Sequence, residues 1–351
     1  MNKVLVTGLG TVTELGLCEA CNLDFSWLVN NPSTLLWADE LCIPKLAFEK
    51  EKMRNDSKRN KVVSMFLSMA EQNGLINTID IASMYQEKVG FEIANRVSKD
   101  SQALLQAFPE TIKKGEEGVP GEIVIGEERY CNAWMASIYT GIKLAHDIDA
   151  NCLFSKREHN FLKYLYGLDG NEIAGNTYNR IYNEIFSIYL PESLSVHSYA
   201  FADEEECQNC VKYEACKDNY LVDTEKALKK IFEWRDYDEL QQAKGEINTI
   251  IKAKNSISSE NDIKDIVKEF REKQNIINKN INKRFPKIER WTKMTTVMAT
   301  PLTIVSAVTG NIPLTIASAA AIGVSEATEK LLDVYKSKNN WIGFVNNMKE
   351  Y

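Results

Sequence analysis

The residues with the clearest chemical potential are three cysteines beyond the middle of the chain. Cys207, Cys210 and Cys216 lie within ten residues, in the arrangement C-x2-C-x5-C. Two thiolates three positions apart can ligate one metal centre from a single turn, and the third returns six residues later. Thiolates are soft ligands that suit both iron–sulfur clusters and Zn²⁺, so the spacing predicts a bound metal without choosing between the two.

A closed metal site needs a fourth ligand, and three side chains are candidates: Cys131, Cys152 and His197. The histidine lies ten residues before the first cysteine of the cluster and would complete a Cys3His zinc site. An iron–sulfur cluster prefers a fourth cysteine. In another arrangement, a second C-x-x-C pair, Cys18 and Cys21, would bind one metal together with the first two cysteines of the cluster, which gives a closed four-cysteine site. The alternative to all of these is three reduced thiols beside an acidic surface loop.

The cysteine spacing resembles the last three ligands of the iron–sulfur site in Cas4/AddB-type nucleases. This resemblance covers about ten residues of 351 and implies an iron–sulfur cluster with a fourth cysteine far upstream. The spacing is also similar to the cluster loop of endonuclease III-like glycosylases, but Ala200 stands where that family has its first cysteine. No catalytic motif of either family accompanies the cysteines, and a site alone does not define a fold. The resemblance also implies a mobile-element or defence setting.

The composition favours a protein of a reducing compartment. Eight cysteines in 351 residues are too sparse for a disulfide scaffold, and the first residues lack the apolar core of a signal peptide. We therefore expect a cytoplasmic protein. The net charge of −7 argues against non-specific nucleic-acid binding by the whole chain, although a basic stripe at residues 279–293 could contact phosphate. A protein partner is expected.

The elements that must position these residues are mostly helical. Short β-branched runs at residues 3–6, 122–125 and 151–155, with apolar periodicity between them, predict a small α/β unit. A second strand is expected within residues 35–43, and helical spacing through Ile79, Ile81 and Tyr85 continues a helical stretch. The predicted class is mostly α with a smaller N-terminal α/β unit, a long helical pair and a C-terminal apolar helical hairpin.

Four regions are predicted along the chain. They are an α/β unit with a helical insertion at 1–200, a cysteine-rich metal loop at 201–220, a long helical pair at 221–292, and the apolar hairpin with a tail at 293–351. A metal clamp that joins the α/β half of the chain to the helical half would contribute folding energy directly.

The apolar segment permits two interpretations. Residues 294–325 contain no ionisable side chain. This segment is longer than the roughly 20 residues that are needed to span a bilayer. Basic residues precede the segment, which would place that flank in the cytoplasm. Gly310-Asn-Ile-Pro313 at its centre is turn chemistry, however, and divides it into two arms too short to span. We favour a buried helical hairpin and keep a membrane-acting effector as the alternative.

A divalent-metal nuclease is the second alternative. The stretch from Tyr130 to Phe161 resembles the last helix–strand segment of PIN-like nucleases, which implies several carboxylates converging on Mg²⁺ or Mn²⁺. Asp39 and Glu128 are the candidate catalytic residues, with Glu40 and Glu127 beside them. The chain departs from that family after the last strand, where the usual acidic residue is replaced by a basic run.

A glycine pair after the first strand invites a nucleotide-binding interpretation. Gly8 and Gly10 form a G-x-G without the third glycine or the distant acidic residue of a dinucleotide site. We therefore predict a plain turn and no nucleotide cofactor. Taken together, the sequence predicts a metal- or iron–sulfur-binding accessory or interaction protein of a microbial cytoplasm.

Overall fold

The computed structural model describes residues 2–15, 23–25, 27–28, 32–85, 87–115, 121–154, 156–166, 174–186, 213–254, 257, 260–284, 341–342 and 344–345. The chain divides into two compact units. The first comprises Met1–Arg235 and Lys254–Asp265, and the second comprises Asp236–Ala253 and Ile266–Tyr351. The fold is mostly helical with a small parallel-sheet unit, as predicted. The predicted apolar hairpin lies outside the described residues.

The described strands form two sheets. Their bounds are β1 (Lys3–Val6), β2 (Glu40–Pro44), β3 (Ile76–Ile79), β4 (Ile112–Lys114), β5 (Ile123–Ile125), β6 (Glu128–Tyr130) and β7 (Asn151–Leu153). The larger sheet is parallel with the order β3-β2-β1-β7, and the smaller is antiparallel with the order β4-β5-β6.

Helices make up most of the remaining described chain. Their bounds are α1 (Thr34–Trp37), α2 (Lys45–Met53), α3 (Lys58–Gln72), α4 (Ile81–Met84), α5 (Glu87–Ala107), α6 (Asn132–Asp147), α7 (Lys156–Tyr166), α8 (Ala174–Phe186), α9 (Tyr213–Arg235), α10 (Asp238–Ala253) and α11 (Glu260–Arg284). A 3₁₀ helix, Leu9–Leu15, follows β1.

Three strands of the parallel sheet, β1, β2 and β7, are largely buried, because they are short apolar runs covered by helices. Leu5 in β1 is aligned with Cys42 in β2 and with Cys152 in β7, so the three side chains share one face of the sheet. All three belong to a hydrophobic cluster that also contains residues of α5 and α6. A parallel sheet needs such cover on its faces, which explains the near-continuous apolar runs of these three strands.

The topology creates a switch point at β1. The chain adds β2 and β3 on one side of this strand and β7 on the other. In open parallel sheets, ligands usually bind in the crevice outside the carboxyl ends of the strands at such a point. By this rule, a ligand would bind at the carboxyl edge around β1.

The second unit is built around α10 and most of α11. Buried apolar residues follow helical spacing in both helices. A short helical stretch near the end of the chain packs in the same unit, where Trp341 lies 5.2 Å from Phe270 and Phe344 lies 6.0 Å from Tyr237, measured between ring centroids. Lys273 also pairs with Glu246.

Three local predictions differ from the structure. Residues 76–79 form β3, where the spacing of Ile79, Ile81 and Tyr85 predicted a helix. The apolar run before Asp39 is the helix α1, and the strand begins only at Glu40. The described part of residues 221–292, the region of the predicted helical pair, lies in three helices, because α9 ends at Arg235 and α10 begins at Asp238.

Candidate functional site

The predicted cysteine cluster lies at the margin of what the structure describes. Cys207 and Cys210 fall outside the described residues, as do His197, Cys18 and Cys21. Residue 216 is in the first turn of α9, and its side chain is not described. The metal site therefore stays a prediction. The structure describes the helices on either side of the cysteine segment, α8 and α9.

Cys152 lies in the core of the parallel sheet. Its side chain is buried, and its thiol donates a hydrogen bond to the carbonyl oxygen of Gly141 at 3.4 Å. Burial raises the pKa of the thiol well above its usual range, and the negative charge of Glu158 raises it further. Because a metal ligand must be a thiolate, this environment weighs against Cys152 as the fourth ligand.

Cys42 is likewise a buried thiol, and it lies on β2, which pairs with the other side of β1. It is fully buried, and burial together with the nearby charge of Glu40 raises its pKa to about 11. Both core thiols thus behave as small apolar side chains.

Cys131 differs from these two cysteines. It lies immediately before α6, is half-buried, and has extended backbone angles, while its thiol caps no backbone group of the helix. Among the described cysteines it is the one that combines partial exposure with a position at an element end. Of the two predicted cysteine candidates for the fourth ligand, Cys131 is the more exposed.

The two candidate carboxylates lie at opposite edges of the parallel sheet. Asp39 precedes β2, at the amino edge, and accepts a hydrogen bond from the backbone N–H of Asn2 at 2.7 Å. Glu128 belongs to β6 of the antiparallel sheet and lies 3.3 Å from the guanidinium of Arg157, which follows β7 at the carboxyl edge. The structure does not bring the two carboxylates together.

The neighbouring carboxylates do not complete a pair. Glu40 accepts a hydrogen bond from Asn77 on β3 at 3.0 Å, and Glu127 is exposed in the turn between β5 and β6. In the part of the chain that the structure describes, no three His, Cys, Asp or Glu side chains converge in a way that would hold a metal ion.

The carboxyl edge at β1 is lined with hydroxyls that donate to main-chain carbonyls. Thr7 donates to the carbonyl of Leu153 at 3.1 Å, and Thr11 donates to the carbonyl of Gly8 at 2.8 Å. Ser137, on α6, donates to the carbonyl of its own helix at 2.7 Å. These buried hydroxyls are engaged within the protein.

The glycine pair at this edge leaves space for another segment of the same chain to pack against it. Gly8 has a φ of +122°, and a Cβ there would lie 2.5 Å from the backbone nitrogen of Asp24. A Cβ on Gly10 would lie 3.0 Å from the side chain of Leu23. The N–H of Asp24 donates to the carbonyl of Thr7 at 2.8 Å. The glycines therefore make room for residues 23–25, which we call the plug.

A buried ion pair clamps the plug. Glu51, on α2, is almost fully buried and accepts a hydrogen bond from the N–H of Leu23 at 3.0 Å. Arg59, on α3, donates to the carbonyl of Leu23 at 2.7 Å and pairs with Glu51 at 2.8 Å. The guanidinium also lies 6.0 Å from the ring of Phe25. Both backbone groups of Leu23 are thus held by one ion pair.

This arrangement explains the glycine pair without a nucleotide. In a dinucleotide fold, glycines at this turn let the pyrophosphate approach the backbone. Here the space that they leave is taken by the plug. Sequence reasoning missed Glu51 and Arg59, since their partner Leu23 is far away along the chain and no local pattern indicates the contact.

A second group that the sequence did not indicate surrounds Asn179 on α8. Its side-chain oxygen accepts hydrogen bonds from the hydroxyl of Ser33 at 3.0 Å, the hydroxyl of Thr34 at 2.8 Å and the indole N–H of Trp37 at 3.2 Å. An asparagine within the aromatic stripe of α8 was the available signal, because a buried amide needs partners.

No family model, no curated protein and no solved structure matches this chain. None of the described helices combines the length and the apolarity needed to cross a bilayer.

Proposed function

We propose that this chain is a metal- or iron–sulfur-binding accessory protein in which the cysteine segment binds the metal and the parallel-sheet unit supports it. The observation that carries the proposal is the C-x2-C-x5-C spacing of Cys207, Cys210 and Cys216. The metal is an iron–sulfur cluster or Zn²⁺, because thiolates suit both.

The described structure supports the accessory role. The edge of the sheet at which α/β enzymes usually bind substrate is filled by the plug, and its hydroxyls donate to main-chain carbonyls. The only upstream cysteine candidate with partial exposure is, among the described residues, Cys131. We therefore assign Cys131 as the fourth ligand in this proposal and the two core thiols to packing.

Paired cysteine variants test the ligand set. The full chain is purified anaerobically with Cys210→Ser, Cys131→Ser or Cys152→Ser, and iron, sulfide and zinc are measured per chain. The first two variants should lose the metal, whereas Cys152→Ser should keep it. Metal retained in Cys210→Ser would contradict the proposal, and metal lost in Cys152→Ser but kept in Cys131→Ser would reassign the fourth ligand.

The nuclease alternative makes a separate prediction. It requires Mg²⁺- or Mn²⁺-dependent cleavage that disappears with Asp39→Asn or Glu128→Gln. Because these carboxylates lie at opposite edges of the sheet, we expect no such dependence. Cleavage abolished by both substitutions, with folding unchanged, would restore this alternative.

The membrane alternative is constrained by the second unit. α11 ends before the apolar segment, and residues 341–342 and 344–345 follow it. Trp341 lies 5.2 Å from Phe270 of α11 between ring centroids, within the same unit. If residues 294–325 enter a bilayer, they must therefore leave it on the side from which they entered. This alternative predicts co-sedimentation with phosphatidylcholine–phosphatidylglycerol vesicles, lost when the segment is made polar. Binding that persists with the polar segment would contradict it.

A further inference from the structure

The parallel sheet ends at β3, and no described strand pairs with the side of β3 that faces away from β2. β3 is the last strand in the order β3-β2-β1-β7. Of its four residues, Thr78 is exposed and the other three are half-buried. We call this outward-facing side the open side of β3. The unpaired backbone groups of an end strand can accept a further strand from another chain.

The hydrogen bonds of β3 show which backbone groups lie on the open side. The N–H of Leu41, on β2, donates to the carbonyl oxygen of Leu75 at 2.8 Å. Because the backbone groups of successive residues in a strand point to opposite sides, every second residue after Leu75 also faces β2. The N–H and C=O groups of Ile76 and Thr78 therefore point to the open side. Within the described residues these groups have no backbone partner.

The open side of β3 lacks the features that protect other end strands from pairing. Charged side chains, proline and cover by a helix are the usual protection. The end strands of the antiparallel sheet carry exposed charges, Lys113 and Lys114 on β4 and Glu128 and Arg129 on β6. At the other end of the parallel sheet, α8 packs against β7. Residues 73–79, which include β3, contain neither a charge nor a proline.

We propose that β3 pairs with β3 of a second copy of this chain, antiparallel and with a two-fold axis between the two Asn77 residues. In this register Ile76 lies opposite Thr78 of the second copy, and each such pair exchanges two N–H···O hydrogen bonds. Every outward N–H and C=O group of Ile76 and Thr78 then has a partner. The two parallel sheets become one continuous sheet with an isologous interface, the usual form of a homodimer.

The side chains of β3 fit this pairing. Ile76 and Thr78 are both β-branched, which suits two residues that lie opposite each other on neighbouring strands. Asn77, at the axis, donates to the carboxylate of Glu40 on β2 at 3.0 Å. This hydrogen bond directs the amide inward and keeps it away from the backbone of the second copy.

The surroundings of the open side also fit a second copy. Asp80, the first charged residue after β3, would lie opposite Gly74 of the second copy, so like charges do not face each other. A Cβ on Gly74 would meet no atom within 4 Å, which shows that the space beside it is open. Two apolar side chains near the carboxyl ends of β2 and β3, Leu46 and Met84, are 51% and 43% exposed and enlarge the uncharged surface.

The pairing of two four-residue strands is small for a protein interface. We therefore expect a concentration-dependent dimer with a Kd of about 10–100 µM. The dimer does not depend on the metal site, because β3 and the cysteine segment are separate parts of the chain.

Proline substitutions on two end strands test the interface. Thr78→Pro removes an N–H that faces the open side and leaves the hydrogen bonds to β2 in place. Lys114→Pro is the matched control on β4: the N–H of Gly115 donates to the carbonyl of Glu122 on the β5 side at 2.8 Å, so the N–H of Lys114 points outward. Thr78→Lys places a charge on the open side and serves if Thr78→Pro fails to fold.

Sedimentation equilibrium of the full chain measures the dimer, and circular dichroism with a urea midpoint confirms that each variant is folded. Thr78→Pro and Thr78→Lys should each raise the dimer Kd at least about tenfold, because hydrogen bonds across the interface are lost or opposed. Lys114→Pro should change the Kd less than about twofold. A wild type that stays monomeric at about 500 µM overturns the proposal. A dimer that persists unchanged in both Thr78 variants, or that is weakened equally by Lys114→Pro, also overturns it.

Engineered cysteines test the register. The two Asn77 residues would form a pair that is not hydrogen-bonded, with Cα atoms about 4.5 Å apart, which a disulfide can bridge. The two Thr78 residues would lie diagonally at about 8 Å, beyond disulfide reach. With oxidised glutathione, Asn77→Cys should give a disulfide-linked dimer on a non-reducing gel, and Thr78→Cys no more than the wild type. The opposite result, or no dimer above the wild-type level in either variant, overturns pairing about Asn77.

Discussion

The two edges of the parallel sheet are built in opposite ways. At the carboxyl edge, the plug and the hydroxyls of Thr7 and Thr11 fill the switch point, and the ion pair of Glu51 and Arg59 closes it. At the amino edge, Arg235 docks a long helix on carbonyls that precede β2. This protein therefore uses the carboxyl edge, where α/β proteins usually bind ligands, for internal packing. It uses the opposite edge to anchor α9, the helix that follows the cysteine segment.

The largest expected effect comes from Gly8→Ala at the carboxyl edge. The new Cβ would lie 2.5 Å from the backbone nitrogen of Asp24, at a φ of +122°. We expect the free energy of unfolding to fall by about 3 kcal/mol or more, measured by urea denaturation. Gly126→Ala is the control, because its φ is +63° with no atom within 4 Å; strain alone there should cost about 1 kcal/mol. Equal losses would show that the plug is not tightly packed.

The next effect is the loss of the clamp in Glu51→Gln. This change removes the charge that pairs with Arg59, in a carboxylate that is 1% exposed. The free energy of unfolding should fall by about 2 kcal/mol. Glu71→Gln is the control, because the pair of Glu71 with Lys52 is solvent-exposed and should contribute less than about 0.5 kcal/mol. A clamp variant as stable as this control would mean that the buried pair does not hold the plug.

A smaller, pH-dependent effect is expected at Asp147, at the end of α6. Hydrogen bonds from Lys143 and Tyr85 lower the pKa of this carboxyl from 3.8 to about 2. A lowered folded-state pKa stabilises the protein above the unfolded pKa, and this contribution is lost as the pH falls through about 2. The difference in urea midpoint between wild type and Asp147→Asn should therefore narrow from pH 5 to pH 2. A constant difference would contradict the cause given for the shift.

The smallest effect is expected from Asp39→Asn at the amino edge. The half-buried carboxylate accepts a hydrogen bond from the N–H of Asn2 at 2.7 Å, and the amide oxygen of asparagine can accept the same bond. We expect the free energy of unfolding to fall by about 0.5–1 kcal/mol. Differential scanning calorimetry would measure this, and a loss as large as that of Glu51→Gln would reverse the ranking of the two edges.

Local patterns in the sequence predicted the parts of the fold that depend on local chemistry. The β-branched runs at residues 3–6, 122–125 and 151–155 correctly predicted β1, β5 and β7. β3 was missed because Ile76-Asn-Thr-Ile79 is short and half polar, and its isoleucines also fit a helical spacing with Ile81. α1 was taken for a strand because its apolar run directly precedes β2.

The contacts that define the two edges could not be predicted, since each joins residues far apart in the chain. The plug depends on two helices that each contribute one charged residue to Leu23. Cys152 shows the same limit, because its burial beside Leu5 depends on the pairing of β1 with β7, and no local pattern indicates that pairing. The glycine pair lies between β1 and the 3₁₀ helix, and its close contact with Asp24 could not be predicted from the sequence.

The metal content of the wild-type chain tests the central claim most directly. The protein is purified anaerobically, its absorbance spectrum is recorded, and iron, sulfide and zinc are determined per chain. We expect either iron with acid-labile sulfide and a broad visible absorbance, or one zinc per chain without iron. A well-folded protein that contains neither metal, and takes up neither on reconstitution, would contradict it.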